Sequence, residues 1–232
     1  MAEPAGYCSC ERPVRLANRP ASSFRRTKQR RPDHYRRRSG IHRCCDRQPE
    51  TDFVGADNYV GIQLATQHLI DLGHRDIAFV GRNSTYSVSM ERLHGYMECL
   101  EKNGITPNPD WMIETAISLA GGKDGMSRLL DMDRRPTGVV CYNDLIVTGA
   151  LSELGNRGLK AGEDIALIGS DGVASSAYCN PPLTTVALEP ERIGEVASEM
   201  LMKRLKNPDA PAMKFLLKPK LIVRKSCGLT RN

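Results

Sequence analysis

The 232-residue sequence is poor in aromatic residues and lacks any long apolar run. Phe, Trp and Tyr make up 5% of the chain, with a single Trp. No apolar stretch approaches the roughly 20 residues that a membrane-spanning helix needs, and the first residues lack the apolar segment of a signal peptide. We therefore expect a cytoplasmic protein without a membrane partner, in which the eight cysteines stay reduced.

Clusters of residues that could carry catalysis or bind a metal are also scarce. Possible metal ligands gather early in the chain, at Cys8, Cys10, His34, His42, Cys44 and Cys45. Neither the Cys-x-Cys nor the Cys-Cys spacing is typical of tetrahedral zinc sites, so unligated thiols are the better interpretation. No nucleophile–base spacing and no phosphate-binding glycine-rich loop after a strand occurs. We expect no metal, no cofactor and no enzymatic activity.

Positive charge is concentrated at the start of the chain, where residues 25–40 read RRTKQRRPDHYRRRSG. Residues 1–50 hold 13 Lys and Arg against 5 Asp and Glu, whereas residues 51–232 hold 20 against 22. Such a run repels itself unless an anion such as phosphate neutralises it. Residues 1–45 also lack a helical apolar period. We predict that they are disordered or translated out of frame, and the nucleotides upstream, read in the other frames, would test the second possibility.

From residue 52 onward, short apolar runs alternate with amphipathic helical runs, which is typical of an α/β fold with parallel sheets. The predicted helices cover residues 57–74, 91–103, 124–132, 145–156 and 190–206. The predicted strands cover residues 77–80, 111–117, 137–142, 163–171 and 183–188, followed by a two-stranded ending in KFLLKPKLIVRKS.

Several polar residues follow these predicted strands, where ligands bind in such sheets. Asn143 and Asp144 follow one strand, Asp171 ends another, and Arg92 lies on the first turn of a helix. Each has an ordinary structural explanation: Arg92 on a solvated helix face, Asp171 as a turn residue and the Asn-Asp pair as a helix cap, and we expect Asp144 to cap the helix that begins at Leu145. A pocket nevertheless uses a few convergent polar groups, so we treat the set as a candidate binding site.

The ordered strings DNYVGIQLATQHLIDLGHRDIAFVG, ERLHGY, GVVCYNDLIVTGAL, GLKAGEDIALIGSDG and NPPLTTVALEPERIGEVASEMLMKRL carry a specific resemblance. They resemble the effector-binding core of the lactose/galactose repressor family (LacI/GalR). The resemblance implies a periplasmic-binding-protein-like fold in which two α/β lobes close on a small ligand. It also implies that the N-terminal lobe is incomplete, because the helix-turn-helix, the hinge helix and the first half of that lobe are not recognisable.

The resemblance also assigns roles to individual residues. Arg92 matches an arginine that grips sugar hydroxyls, Asn143 a residue that both donates and accepts, and Asp171 a carboxylate that accepts from hydroxyls. Asp46 matches an aspartate on the opposing lobe. Where the family often places an aromatic ring near Ala120, this chain has Ser-Leu-Ala-Gly-Gly, so the resemblance does not fix the identity of the ligand.

The predicted function follows from this resemblance. We expect a ligand-responsive repressor core that binds a small sugar or related effector and forms a homodimer, with operator DNA as the partner of a full-length form. The alternative is a solute-binding protein of a sugar transporter. The predicted organisation is a basic segment (1–45), a sensing core (46–228) and a tail (229–232). The core divides into a remnant of the N-terminal lobe (46–80), mainly the C-terminal lobe (81–185), and crossover and closing strands (186–228).

Overall fold

Strands and helices alternate along residues 51–82 and 87–228, which are the residues described in the computed structural model. The strands are β1 (Phe53–Ala56), β2 (Ile77–Arg82), β3 (Met112–Glu114), β4 (Gly138–Cys141), β5 (Ala166–Asp171), β6 (Thr184–Ala187), β7 (Lys214–Leu217) and β8 (Lys220–Ile222). The helices are α1 (Asn58–Asp71), α2 (Ser87–Lys102), α3 (Leu119–Leu130), α4 (Asp144–Asn156) and α5 (Pro190–Lys206). This alternation confirms the predicted α/β class. The basic segment 1–45 and Asp46 lie outside the described residues.

The strands form two sheets. The larger has the order β3-β2-β4-β5-β6-β8, and all neighbours are parallel except the antiparallel pair β6–β8. The smaller consists of the parallel pair β1–β7. The predicted two-stranded ending is present as β7 and β8, which join different sheets. The predicted lobe boundary at residue 80 falls inside β2, and α1 packs on the larger sheet.

The core lies on both faces of the larger sheet. Alternate residues of β2 point to opposite faces: Ala78 and Val80 pack with α3 and α4, while Ile77 and Phe79 pack with α1 and α2. All four side chains are at most 1% exposed. Burial on both faces explains why the strands read as continuous apolar runs rather than as alternating ones.

Polar caps fix where the helices begin. Asp57 accepts a hydrogen bond from the Val60 amide at 3.0 Å at the start of α1, and Ser118 accepts one from the Gly121 amide at 3.0 Å at the start of α3. These bonds satisfy amides that have no partner within the helix. Because Asp57 directly follows β1, this cap also fixes the point at which the chain passes from the smaller sheet into α1.

Helix α3 begins five residues earlier than the sequence predicts. Its first two turns contain three glycines, which have a low helix propensity. Propensity alone therefore predicts a later start for this helix. The structure supplies the reason for them, since a Cβ on Gly122 would lie 2.1 Å from the Ile146 carbonyl oxygen of α4. A Cβ on Gly149 of α4 would lie 2.0 Å from the Leu119 carbonyl oxygen of α3. The two helices thus pack backbone against backbone.

Candidate functional site

The polar residues predicted from the sequence meet at one edge of the larger sheet. Strands β2, β4 and β5 are neighbours and run parallel, so their carboxyl ends lie side by side. Asp171 is the last residue of β5, Asn143 follows β4, and Arg92 lies on α2, the helix after β2. Three of the four predicted site residues therefore come together, and the fourth, Asp46, lies outside the described residues.

Arg92 is the centre of the cluster and is almost fully buried, with 4% exposure. Its Nη2 donates to Asp171 Oδ1 at 3.0 Å and to Asn58 Oδ1 at 2.9 Å. Its Nε donates to the same Asn58 oxygen at 3.1 Å, and its Nη1 donates to the Tyr142 carbonyl. The guanidinium also lies over the Tyr142 ring, 4.5 Å from its centroid. These contacts fix the planar group in one orientation.

Asn143 has two roles that use different ends of its amide. Its Oδ1 accepts from the Ile146 amide at 3.1 Å and caps α4. Its side-chain amide also acts to lower the pKa of the Asp171 carboxyl, as a neighbouring donor does. Since an amide NH₂ is the donor of this side chain, the nitrogen must face the carboxylate. The capping role and the candidate ligand-binding role are therefore compatible in one residue.

Asp171 lies between these two donors with a side chain that is 33% exposed. Burial raises the pKa of its carboxyl, while the Arg92 guanidinium and the Asn143 amide act in the opposite direction. Its backbone φ is 107°, in a region that is unfavourable for a residue with a Cβ. The carboxylate is thus held at the rim by its environment, with part of its surface open to an incoming hydroxyl.

Asp144 differs from its sequence-based interpretation. We predicted that it caps α4, but Asn143 makes that cap and Asp144 is the first helical residue. Its side chain turns into the core, where Oδ1 accepts from the Thr185 hydroxyl at 2.6 Å and Oδ2 accepts from the Val173 amide at 2.9 Å. Burial, opposed by these hydrogen bonds, raises the pKa of this carboxyl to about 6.

Comparison with known proteins identifies the fold. The family model described as "periplasmic binding protein-like domain" matches residues 66–227. The repressor PurR of Aliivibrio salmonicida is 35% identical over 178 residues, covering 77% of this chain and 54% of that protein. The chain belongs to the LacI/GalR family. The ribose operon repressor of Haemophilus influenzae is 35% identical over 175 residues, covering 75% of this chain and 53% of its own length.

Solved LacI-family structures agree with this assignment. A LacI-family regulator from Enterococcus faecium with bound ribose superposes with a TM-score of 0.70 at 29% identity, covering 78% of this chain and 66% of that one. The chain spans about half the length of the curated relatives that it matches. The family-level fold prediction is therefore confirmed for the periplasmic-binding-protein-like core.

This LacI/GalR core contains site residues that sequence reasoning missed. Asn58 resembled part of an Asp-Asn helix start, and nothing in its local sequence indicated a contact with a residue 34 positions later. Tyr142 contributes a backbone carbonyl and a ring, of which only the ring could have been noticed in the sequence. Ala120, where the family often has an aromatic residue nearby, is exposed on the first turn of α3.

The described part of this LacI/GalR core has neither a cluster of metal ligands nor a membrane-spanning helix. Residues 51–82 and 87–228 contain no group of three or more His, Cys, Asp or Glu side chains able to hold a metal ion. The same residues include no helix long and apolar enough to cross a bilayer. The early Cys and His residues considered for zinc lie outside the described residues.

Proposed function

We propose that this chain is the effector-sensing core of a ligand-responsive transcriptional repressor and that it binds a small sugar through Arg92, Asn143 and Asp171. The observation that carries the proposal is the cluster in which Arg92 donates to Asp171 and the Asn143 amide acts to lower the pKa of the same carboxyl. A guanidinium donates, a carboxylate accepts and an amide does both, which suits the donor and acceptor character of sugar hydroxyls. The ribose bound to the Enterococcus faecium relative supports a sugar as the ligand class.

The remaining parts of the proposal concern the rest of the molecule and its partners. From the family resemblance we keep Asp46, which lies outside the described residues, as a proposed fourth ligand contact, and we take residues 46–228 as the extent of the sensing core. A full-length form would bind operator DNA, the core would pair as a homodimer, and the protein would act in the cytoplasm. The repressor relatives support the regulatory role and the partnership with DNA.

The relatives support a repressor over the alternatives. A solute-binding protein of a sugar transporter would offer a similar ligand chemistry, but the relatives described above are transcriptional repressors. An enzyme would need a nucleophile paired with a base, or a metal. The cluster around Arg92 instead combines a cation, an amide and a carboxylate that satisfy one another, which suits binding better than bond breaking.

Titration calorimetry on the purified chain tests the proposal, with D-ribose as the first probe and a panel of mono- and disaccharides after it. For the sugar that binds, Asp171→Asn should weaken affinity about ten- to a hundredfold, because a charge-assisted hydrogen bond is lost. The matched control is Asp164→Asn, which changes an exposed carboxyl that accepts from the Lys160 amide. Equal affinities for both variants would contradict the assignment of Asp171.

A further inference from the structure

Asp144 is a buried carboxyl that the proposed binding site does not use directly. It is 1% exposed, and room for it exists because β5 has a glycine opposite. A Cβ on Gly169 would lie 2.2 Å from Asp144 Oδ1. A glycine inside a strand weakens that strand and often marks a close approach. The sequence of β5 therefore accommodates this carboxyl specifically.

The side-chain hydrogen bonds of Asp144 connect it to the turn that follows Asp171. Its Oδ2 accepts from the Val173 amide, and its Oδ1 accepts from the Thr185 hydroxyl of β6. The Thr185 oxygen in turn accepts from the Gly172 amide at 3.3 Å. Both amides of the turn are thus anchored on Asp144, one directly and one through Thr185.

This anchor matters because the turn is conformationally constrained. Asp171 has φ 107° and Gly172 has φ 69°, so two successive residues occupy the left-handed half of backbone space. For a residue with a Cβ, such a conformation persists only when its surroundings enforce it. The two anchored amides immediately follow Asp171 and supply that enforcement.

We propose that Asp144 is a positioning residue for the effector site, which holds the Gly172–Val173 turn and thereby Asp171, and that its protonation loosens this hold. The inference rests on the proposed function only in taking Asp171 as a ligand contact. An ionised carboxylate accepts charge-assisted hydrogen bonds about twice as strong as those of a neutral acid. Effector affinity should therefore be higher when Asp144 is ionised than when it carries a proton.

The surroundings of Asp144 bring its pKa into the pH range of the experiment described below. The titratable neighbours are the Asp171 carboxyl at the end of β5 and the Cys141 thiol at the end of β4. Burial raises the pKa of Asp144 to about 6, and the Asp171 charge acts in the same direction. Burial also raises the pKa of the Cys141 thiol, so the thiol stays neutral while Asp144 titrates.

The test follows the Val173 amide and the Arg92 Nε–H by NMR between pH 5 and 8, on the ligand-free chain. Both signals should titrate with a midpoint near 6 in the wild type, and neither should show this midpoint in Asp144→Asn. The matched control is Glu153→Gln, which alters another buried carboxyl of α4, bound to Arg157. In this control the midpoint should be unchanged.

A second variant keeps the test valid if Asp144→Asn fails to fold. Thr185→Val removes the hydroxyl that helps to lower the pKa of Asp144, so the midpoint should move upward. An absent titration at Val173, or one that persists in Asp144→Asn, would overturn the proposal. A Val173 titration that leaves the Arg92 signal unchanged would also overturn it. Arg92 donates to Asp171, so the position of Asp171 would then not depend on the turn.

Measurements of sugar affinity at different pH values distinguish this inference from the proposed function. With D-ribose as probe, the dissociation constant should rise about fivefold from pH 7.5 to pH 5 in the wild type, from a loss of about 1 kcal/mol. The rise should be smaller in Asp144→Asn, where the Asp171 carboxyl, whose pKa burial also raises, still titrates. Failure of the wild type to bind D-ribose would count against the proposed function for that sugar, while the ligand-free titrations would still decide the role of Asp144.

Discussion

Replacing Arg92 by alanine should damage both the fold and the candidate site, because its guanidinium is buried and fully oriented by protein groups. The substitution leaves the Asn58 oxygen without two donors and Asp171 without its cation. Breaking a buried pair costs about 3–5 kcal/mol. Since the Asp171 side chain is one-third exposed, water compensates in part, and we expect a loss of about 3 kcal/mol in the free energy of unfolding.

Urea unfolding followed by far-ultraviolet circular dichroism measures this loss, and calorimetry with the bound sugar measures affinity on the folded fraction. A loss of about 3 kcal/mol is a large share of the roughly 5–15 kcal/mol that a domain typically has. Arg92→Lys should be intermediate, because an ammonium keeps the charge but lacks the planar fork that contacts Asn58 and Asp171 together.

Arg134→Ala is the matched control for this experiment. Arg134 also pairs with an aspartate, Asp76 at 2.6 Å, but its side chain is 75% exposed, and exposed pairs contribute at most about 1 kcal/mol. If Arg92→Ala and Arg134→Ala unfold at the same urea concentration, the buried cluster does not support the fold and the reasoning is refuted. If stability falls but sugar affinity is unchanged, Arg92 is a structural anchor only.

Further predictions concern the two carboxyls, the helix contact and the basic segment. Asp171→Asn should weaken sugar binding at pH 7.5 more than Asp144→Asn, and calorimetry showing the reverse order would exchange their roles. Because the pKa of Asp144 is about 6 in the folded chain against an ordinary 3.8, the unfolded chain binds fewer protons between these values. The contribution of Asp144 to wild-type stability should therefore fall by about 2 kcal/mol from pH 4 to pH 6, and urea titrations should show this fall lessened in Asp144→Asn. Gly149→Ala places a Cβ 2.0 Å from a backbone carbonyl of α3, whereas Gly155→Ala on the same helix meets nothing within 4 Å. The first should destabilise strongly and the second stabilise by up to about 1 kcal/mol, as thermal unfolding would show. This chain should bind DNA weakly and without sequence preference through the basic residues of 1–50, and a gel shift favouring an operator about a hundredfold over scrambled DNA would contradict this.

Sequence reasoning predicted much of the fold because local signals and tertiary packing agree over most of the core. Buried strands of the parallel sheet are continuous apolar runs, and caps such as Asp57 and Asn143 occur where helices begin. Prediction failed where packing overrides propensity. The glycines at the start of α3 disfavour a helix locally, yet they allow the α4 backbone to approach, and only the three-dimensional contact reveals that advantage.

The candidate site was predicted in part for a related reason. Strand ends can be located from the sequence, so Asn143 and Asp171 could be assigned to one rim. The direction of a side chain at such an end could not, and Asp144 therefore looked like a cap although it enters the core. The pairing of β7 with β1 was equally hidden, because it joins segments about 160 residues apart in the chain.

Arg92 also connects the candidate site to the smaller sheet. Its acceptor Asn58 directly follows Asp57, whose amide donates to the Leu217 carbonyl of β7 at 3.0 Å. The guanidinium therefore binds one residue at the end of β5 and another within two residues of the end of β1. A ligand that competes for either acceptor changes a contact on the path between the two sheets. Since an effector shifts an equilibrium only through contacts that differ between states, we expect ligand binding to reach the smaller sheet through this shared guanidinium.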